Sequence, residues 1–245
     1  MACFKKEEDI RPLFESQLEL CGVDYFDFYL MHAQSAEIFK HFKACRAYET
    51  AFERKKEGKI RHVGISFRDR AEVLDEILRE YPQIEVVQIQ LNYVDFDDPA
   101  VQSRKCYEVC RKHGKPVIVM EPVKGGNLVK LPDAAKQVFE DLHGGSPASY
   151  AIRFAAGFPG ILMVLSGMSD IKQMKDNISF MQNFQPLTDA EMEAVRKVQD
   201  IFRFMHRIAC TACRCCTDGC PQHLPIRELL EQVAAELKKK EEPET

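Results

Sequence analysis

The chain has no tryptophan, only 12 glycines among 245 residues, and no apolar run approaching the roughly 20 residues that span a bilayer. That last absence leaves no membrane-spanning helix to expect, and no membrane partner. Nor does the start resemble an export signal. Met1-Ala2-Cys3-Phe4-Lys5-Lys6-Glu7-Glu8 turns charged where such a signal needs hydrocarbon. The expected location is cytoplasmic. Basic residues do not gather into a stripe and the net charge is -4, so no nucleic-acid partner is expected. No G-x-G-x-x-G follows an apolar strand, which counts against a dinucleotide-binding doubly wound domain.

Cysteine is abundant, with ten in the chain. In a reducing compartment that number points to thiols or metal ligands, not disulfides. Cys3, Cys21, Cys45, Cys106 and Cys110 are scattered, and the other five fall within Cys210-Thr-Ala-Cys213-Arg-Cys215-Cys216-Thr-Asp-Gly-Cys220-Pro221. Without Cys215 the spacing is C-x2-C-x2-C-x3-C-P, the bacterial ferredoxin run. Thiolates three apart on a tight backbone can converge on one cubane, and small residues such as Thr211, Ala212 and Gly219 let the loop wrap closely. Zinc sites more often use two C-x2-C pairs separated by a longer span. The reading is a [4Fe-4S] cluster on Cys210, Cys213, Cys216 and Cys220, with Cys215 a bystander. A distant cysteine is the alternative fourth ligand, because in two-cluster ferredoxins the last cysteine of the run serves the other cluster.

Ahead of the cysteines, short runs rich in Val, Ile and Phe alternate with amphipathic stretches. Asp24 to His32, Ile60 to Ser66, Val86 to Asn92, Pro116 to Pro122 and Ile161 to Gly167 read as buried strands. Leu74, Ile77, Leu78 and Tyr81 share a helix face that stops at Pro82. Asp98-Pro99 and Ser146-Pro147 read as helix starts, each an N-cap followed by proline. Ile171, Met174, Ile178 and Met181 form another stripe. Thr188 to Glu191 reads as a capping box, with Met192, Val195, Phe202 and Met205 inward on the helix it opens. Pro225 starts a last helix with Ile226, Leu229, Leu230 and Val233 inward. Strands joined by crossover helices imply an α/β fold with a parallel sheet, either doubly wound or a (β/α)8 barrel. His32, Ser66, Asn92, Glu121 and Ser166 stand at strand C-terminal ends, where a barrel builds its site.

These segments resemble a known family. Val23 to His32 resembles the fourth strand of the aldo/keto reductases, and Glu57 to Ser66 their fifth. Gln88 to Tyr93 is similar to the sixth strand, Val119 to Gly126 to the seventh, and Leu165 to Met168, continuing to Asn177, to the eighth and its helix. The cysteine run that follows is similar to the ferredoxin-tailed branch of the family, found in bacteria and archaea. The resemblance implies a partial (β/α)8 TIM barrel, strands four to eight, over residues 1–185. A connecting helix would take 186–207, and a small α-helical ferredoxin-type module 208–245.

The resemblance also implies roles. His32 matches the histidine that orients a substrate carbonyl. Ser66 and Gln88 match the groups that hold a nicotinamide carboxamide. Gly125 and Gly126 match a pyrophosphate loop. Ser166, Gly167, Met168 and Ser169 match an adenosine-phosphate site at a helix N-terminus, and Asn177 an adenine contact. The implied cofactors are NAD(P)H, weakly held, and the cluster. The implied partner is a small carbonyl substrate or a redox protein. Departures qualify this. Phe67 stands where the family has asparagine, Glu121 where it stacks a tyrosine, and Gln173 where an arginine binds phosphate.

The family's catalytic aspartate, tyrosine and lysine lie on the first three strands, which have no counterpart here. Asp9 is expected to cap a first helix with Ile10, Leu13, Phe14, Leu18 and Cys21 inward. The reading is an N-terminally shortened reductase, inactive alone, with a reading frame that continues upstream and open sheet edges that invite self-association. A non-catalytic iron–sulfur electron-transfer or interaction module is the alternative.

Overall fold

The computed structural model describes residues 4–142, 144–204, 215–218, 220, 222 and 224–239. It divides into two compact units, one of residues 1–122 and 154–167, the other of 123–153 and 168–245.

The first unit is a parallel sheet of β1 (Phe26–Gln34), β2 (Ile60–Phe67), β3 (Val86–Gln90), β4 (Val117–Met120) and β5 (Ile161–Val164), in that spatial order. It carries α1 (Ile10–Cys21), α2 (Ala36–Ala44), α3 (Ala47–Lys56), α4 (Ala71–Glu80) and α5 (Ser103–Lys112). All five expected strands form, each with ends that differ by a few residues from the sequence reading. Val86, Val87, Ile89, Val117 and Val119 are buried, as strands covered on both faces require. Gly64 sits where no other residue fits. A Cβ there would lie 2.5 Å from Leu30 Cδ2 and 2.6 Å from the Val86 carbonyl oxygen. Both neighbours are its register partners in β1 and β3.

On α1, Ile10, Phe14 and Leu18 are buried as expected, whereas Cys21 in the last turn is exposed. Asp9 does not cap that helix. Its carboxylate accepts from the Lys5 and Lys6 amides, closing a 3-10 turn over Glu7–Asp9. Asp98 likewise opens no helix. Its side chain accepts from the Ala100 and Val101 amides, and α5 begins only after Gln102, which is left-handed at φ 56°. The aspartate uses its oxygens locally and turns the chain first. Cys106 and Cys110 are buried on α5, and burial raises both thiols, Cys106 to about 12. They are packing groups, not ligands.

The second unit holds α6 (Asp133–Glu140), the start of α7 (Pro147–Ala156), α8 (Ile171–Met181), α9 (Asp189–Phe204), α10 (Cys215–Asp218) and α11 (Ile226–Lys239). Ser146 caps α7 by accepting from the Ser149 amide. Thr188 and Glu191 form the expected box, the Glu191 amide donating to Thr188 Oγ1 and the Thr188 amide to Glu191 Oε2. α9 packs on α6 and buries Ala194, Val195 and Val198. Met192 and Phe202 are half-buried, and Met205 lies outside the described residues. Two stripes remain open. Ile171, Met174, Ile178 and Met181 of α8 are exposed, as are Leu229 and Val233 of α11, which the sequence pattern turns inward. An apolar stripe states a capacity for burial, and these find no partner surface among the described residues.

Candidate functional site

The end of β1 departs from a regular strand. Met31 pairs with Ile65 and Gln34 with Phe67, so three steps on β1 match two on β2. The extra residue is a β-bulge at His32 and Ala33, and Ala33 is left-handed at φ 49°. Bulges of this kind re-aim a side chain and end pairing. Three bonds hold the bulge. The Ala33 amide donates to Ser66 Oγ at 2.7 Å. The Gln34 side-chain amide donates to the His32 carbonyl at 3.2 Å, and Tyr48 Oη donates to Gln34 Oε1 at 2.7 Å. Gln34 and Tyr48 are fully buried, and Tyr48 stacks on Tyr81 at 4.1 Å. Burial and the neighbouring Tyr81 raise the Tyr48 phenol well above its ordinary range, so it stays a neutral donor. His32 itself is exposed.

Next along the rim, Ser66 is paired in register with Gln88. The Gln88 amide donates to Met120 Sδ at 3.2 Å, a weak acceptor. Beyond it, Asn92 is a structural residue. It is fully buried, its amide bonds Asp95 and the Glu121 carbonyl, and its oxygen accepts from the Val94 and Asp95 amides. Glu121 is left-handed at φ 58°, and Arg68 reaches its carboxylate at 3.4 Å. Strained backbone at Ala33 and Glu121 thus falls at two strand ends of one rim. His32, Ser66 and Gln88 lie on three consecutive strands, linked through the Ala33 amide bond to Ser66 and the Ser66–Gln88 register.

Ser166 and Gly167 follow β5, half-buried and exposed. Gly125 and Gly126 belong to the second unit and lie on a tight 3-10 turn at φ 60° and 93°. A Cβ at Gly126 would meet nothing within 4 Å, so the turn's backbone, not crowding, requires glycine there. Met168 and Asn177 also belong to that unit, exposed and half-buried. At the N-terminus of α8 one amide is already taken by protein. Asp170 caps it, accepting from the Gln173 amide at 2.8 Å. Gln173 Oε1 in turn accepts from the Ser169 amide at 2.9 Å. A carboxylate in that position competes with any phosphate.

Of the cysteine run, Cys210 and Cys213 lie outside the described residues. Cys216 is exposed on the single turn of α10, and Cys220 follows with its amide on the Thr217 carbonyl at 3.3 Å. The described residues contain no group of three or more metal-ligating side chains, and only two of the four expected thiols are among them. Two free thiols on one short turn and its exit are a soft donor set that suits iron–sulfur or zinc ligation.

A cavity of about 310 Å³ lies beside β1. Tyr29, Leu30, Met31 and His32 all line it. Four consecutive strand residues belong to both faces, so the cavity runs along the edge of β1 and not over one face. A sequence reading misses this cavity and also the Gln34–Tyr48 brace, because a buried glutamine carries no pattern of its own. The only available signal is a polar residue interrupting an apolar strand end.

A family model described as Aldo/keto reductase family matches residues 2–200. An aldo-keto reductase of Mycobacterium avium is 22% identical over 193 residues, covering 78% of this chain and 62% of that protein. The NADH-specific methylglyoxal reductase of Escherichia coli is 30% identical over 121 residues, 49% of this chain and 35% of that protein. The chain therefore spans less than two thirds of the length of these relatives. Among solved structures, the aldo-keto reductase of Klebsiella pneumoniae in complex with NADPH aligns with a TM-score of 0.62 at 18% identity. It covers 80% of this chain and 66% of that one. That likeness establishes a parallel α/β sheet resembling the (β/α)8 barrels of such enzymes. No helix among the described residues is long and apolar enough to cross a membrane.

Proposed function

The chain belongs to the aldo/keto reductase family, and from that premise we propose that it carries the carbonyl- and nicotinamide-facing rim of an oxidoreductase, together with a [4Fe-4S] site. The observation that supports the rim most is the braced bulge after Met31, which ends β1 at an exposed His32 and ties the next residue, Ala33, to Ser66, the register partner of Gln88. An exposed imidazole there can donate to the oxygen of a small carbonyl substrate. Ser66 Oγ already accepts from Ala33, so its own proton is free to donate to a carboxamide oxygen. Gln88 gives up only a weak sulfur contact to bond the carboxamide in turn. These donors fit a planar amide. When bound, the nicotinamide supplies the hydride. No residue of this sequence matches the family's catalytic tyrosine, aspartate and lysine, and residues 1–245 alone are expected not to turn over.

The phosphate end fits less well. Asp170 occupies the α8 N-terminus and Gln173 is committed to Ser169. A neutral amide cannot replace the bidentate bonds of an arginine. The reading therefore includes weak binding with no strong preference for the phosphorylated cofactor. For the cluster, Cys210, Cys213, Cys216 and Cys220 would be the ligands, and iron–sulfur chemistry would add one-electron transfer.

One experiment tests both halves. Protein purified anaerobically should be brown and hold roughly four irons and four sulfides per chain. Cys213→Ala should remove the colour and Cys215→Ala should keep it. Titration with NADH and NADPH, read by cofactor fluorescence, should show weak binding that Gln88→Leu abolishes, with a preference for NADPH of less than about tenfold. Colour without nicotinamide binding would reject the reductase rim and favour an iron–sulfur electron-transfer or interaction module. A colourless protein would reject the cluster.

A further inference from the structure

Glu121, the residue after β4, holds a left-handed backbone at φ 58°. That conformation is unfavourable for a residue with a Cβ, and such strain collects where function needs a side chain in one place. The groups that hold it are visible. The buried Asn92 side-chain amide donates to the Glu121 carbonyl at 3.2 Å, and the Leu91 amide donates to the preceding Met120 carbonyl at 3.1 Å. Arg68, the residue after β2, is fixed in the same way, its amide donating to the Gln34 carbonyl at 3.0 Å. Its guanidinium then spans the end of β3, with Nη2 3.7 Å from Met120 Sδ and 3.4 Å from Glu121 Oε1. β2 and β4 are interior strands of the sheet, each paired on both sides.

Gln88 bonds the same sulfur, its Nε2 lying 3.2 Å from Met120 Sδ. One sulfur atom therefore separates the charged pair from the amide that the proposed rim offers to a nicotinamide carboxamide. The pair is also loosely held. Its separation is long for a charge-assisted bond, which runs about 2.7–2.9 Å. The Arg68 and Glu121 side chains are 52% and 35% exposed. Asp69 next door is different, since both of its oxygens serve backbone, the Ala36 amide at 2.8 Å and the Arg70 amide at 2.7 Å. A pair as open as Arg68–Glu121 adds little to stability, so stability does not account for the strain at Glu121.

We propose that Arg68 and Glu121 are specificity-determining residues of this rim, balancing its affinity for oxidised against reduced nicotinamide. The inference rests on the nicotinamide reading of Ser66 and Gln88. The oxidised nicotinamide ring is a cation and the reduced ring is neutral. A charge beside the ring therefore acts on one form and not on the other. Glu121 attracts the oxidised ring, and Arg68 repels it. As a pair they largely cancel, and each substitution uncovers the charge that remains. Near a protein surface, one unopposed charge a few ångströms from the ring changes binding of the charged form by about three- to tenfold. A residue that served only to hold the fold would change both forms alike.

NADH fluorescence reports binding of the reduced form to the full chain, and displacement of NADH by NAD⁺ reports the oxidised form, both in low salt. Arg68→Gln should raise the ratio of NAD⁺ to NADH affinity about fivefold. Glu121→Gln should lower that ratio by a similar factor, and the double substitution should return it to the wild-type value. The shifts of the single variants should shrink in about 1 M salt, which screens exposed charges. Because the two shifts have opposite signs, either variant carries the test if the other fails to fold. Ratios that stay unchanged, or that move in the same direction in both single variants, overturn the proposal and leave the nicotinamide reading standing. Failure of the unmodified chain to bind either nucleotide overturns that reading, and the proposal with it.

Discussion

At Asp75 of α4 one carboxylate meets two cations and an imidazole. Lys112 Nζ is 2.9 Å and His113 Nε2 2.7 Å from its Oδ1, both from the end of α5, and Arg79 bonds the other oxygen. The Asp75 side chain is only 14% exposed. The Lys112 bond first, then that of His113, holds the carboxyl far below its usual range. A depressed folded-state pKa contributes stability above the unfolded value of about 3.9, lost as pH falls toward the folded value. Asp75→Asn is therefore expected to cost about 1 kcal/mol at neutral pH, the scale of a partly screened charge network. Urea unfolding should show that gap shrinking progressively below about pH 4 as the wild-type carboxylate is protonated. A gap equally wide at pH 7 and pH 2 would sink the argument. None of this could be read in the sequence, because Asp75 and Lys112 are far apart in the chain and meet only through helix packing.

Among elements, α9 shows how a local signal can carry a tertiary one. The Thr188–Glu191 box is legible in four residues. Its second use is not. Glu191 also receives Arg153 of α7, Nη1 to Oε1 at 2.7 Å and Nη2 to Oε2 at 2.9 Å, with both side chains nearly buried. Arg153 completes its donors on the Gln185 and Pro186 carbonyls. Burial pushes the Glu191 carboxyl up, but the Arg153 and Thr188 bonds outweigh it and leave the group below its ordinary value. Removing one member strands a buried charge, which costs about 3–5 kcal/mol. Glu191→Ala should lose that much in urea unfolding. Arg153→Met with Glu191→Leu should recover most of it, because a buried pair contributes little over hydrocarbon of equal volume. If the double variant is as unstable as the single, the pair specifies more than its own charge. The same contrast runs through the fold. Strands β1 to β5 were legible because buried parallel strands are apolar runs. The delayed start of α5 and the bulge after Met31 were not, because each turns on a side chain that bonds nearby backbone or packs against a distant element.

For the whole molecule, the division into two units matters most where the cluster is expected. Cys216 and Cys220 belong to the second unit, as does α11, which packs on α10. The five-stranded sheet belongs entirely to the first. A ligand that binds only the folded form of a segment stabilises that segment. Loading iron and sulfide should therefore slow amide exchange over the α10 and α11 peptides, and the exchange of β2, β3 and β4 should change little. Those central strands are buried on both faces and open only near the global unfolding limit, whatever the cysteines hold. Hydrogen-exchange mass spectrometry of the protein before and after anaerobic reconstitution reads both regions in one run. The Cys213→Ala chain, treated identically, controls for iron bound elsewhere and should show no slowing. Equal protection of α11 in the two chains would mean that the cysteine run does not organise this end of the molecule. Slowing spread evenly over the sheet as well would mean that the two units open as one.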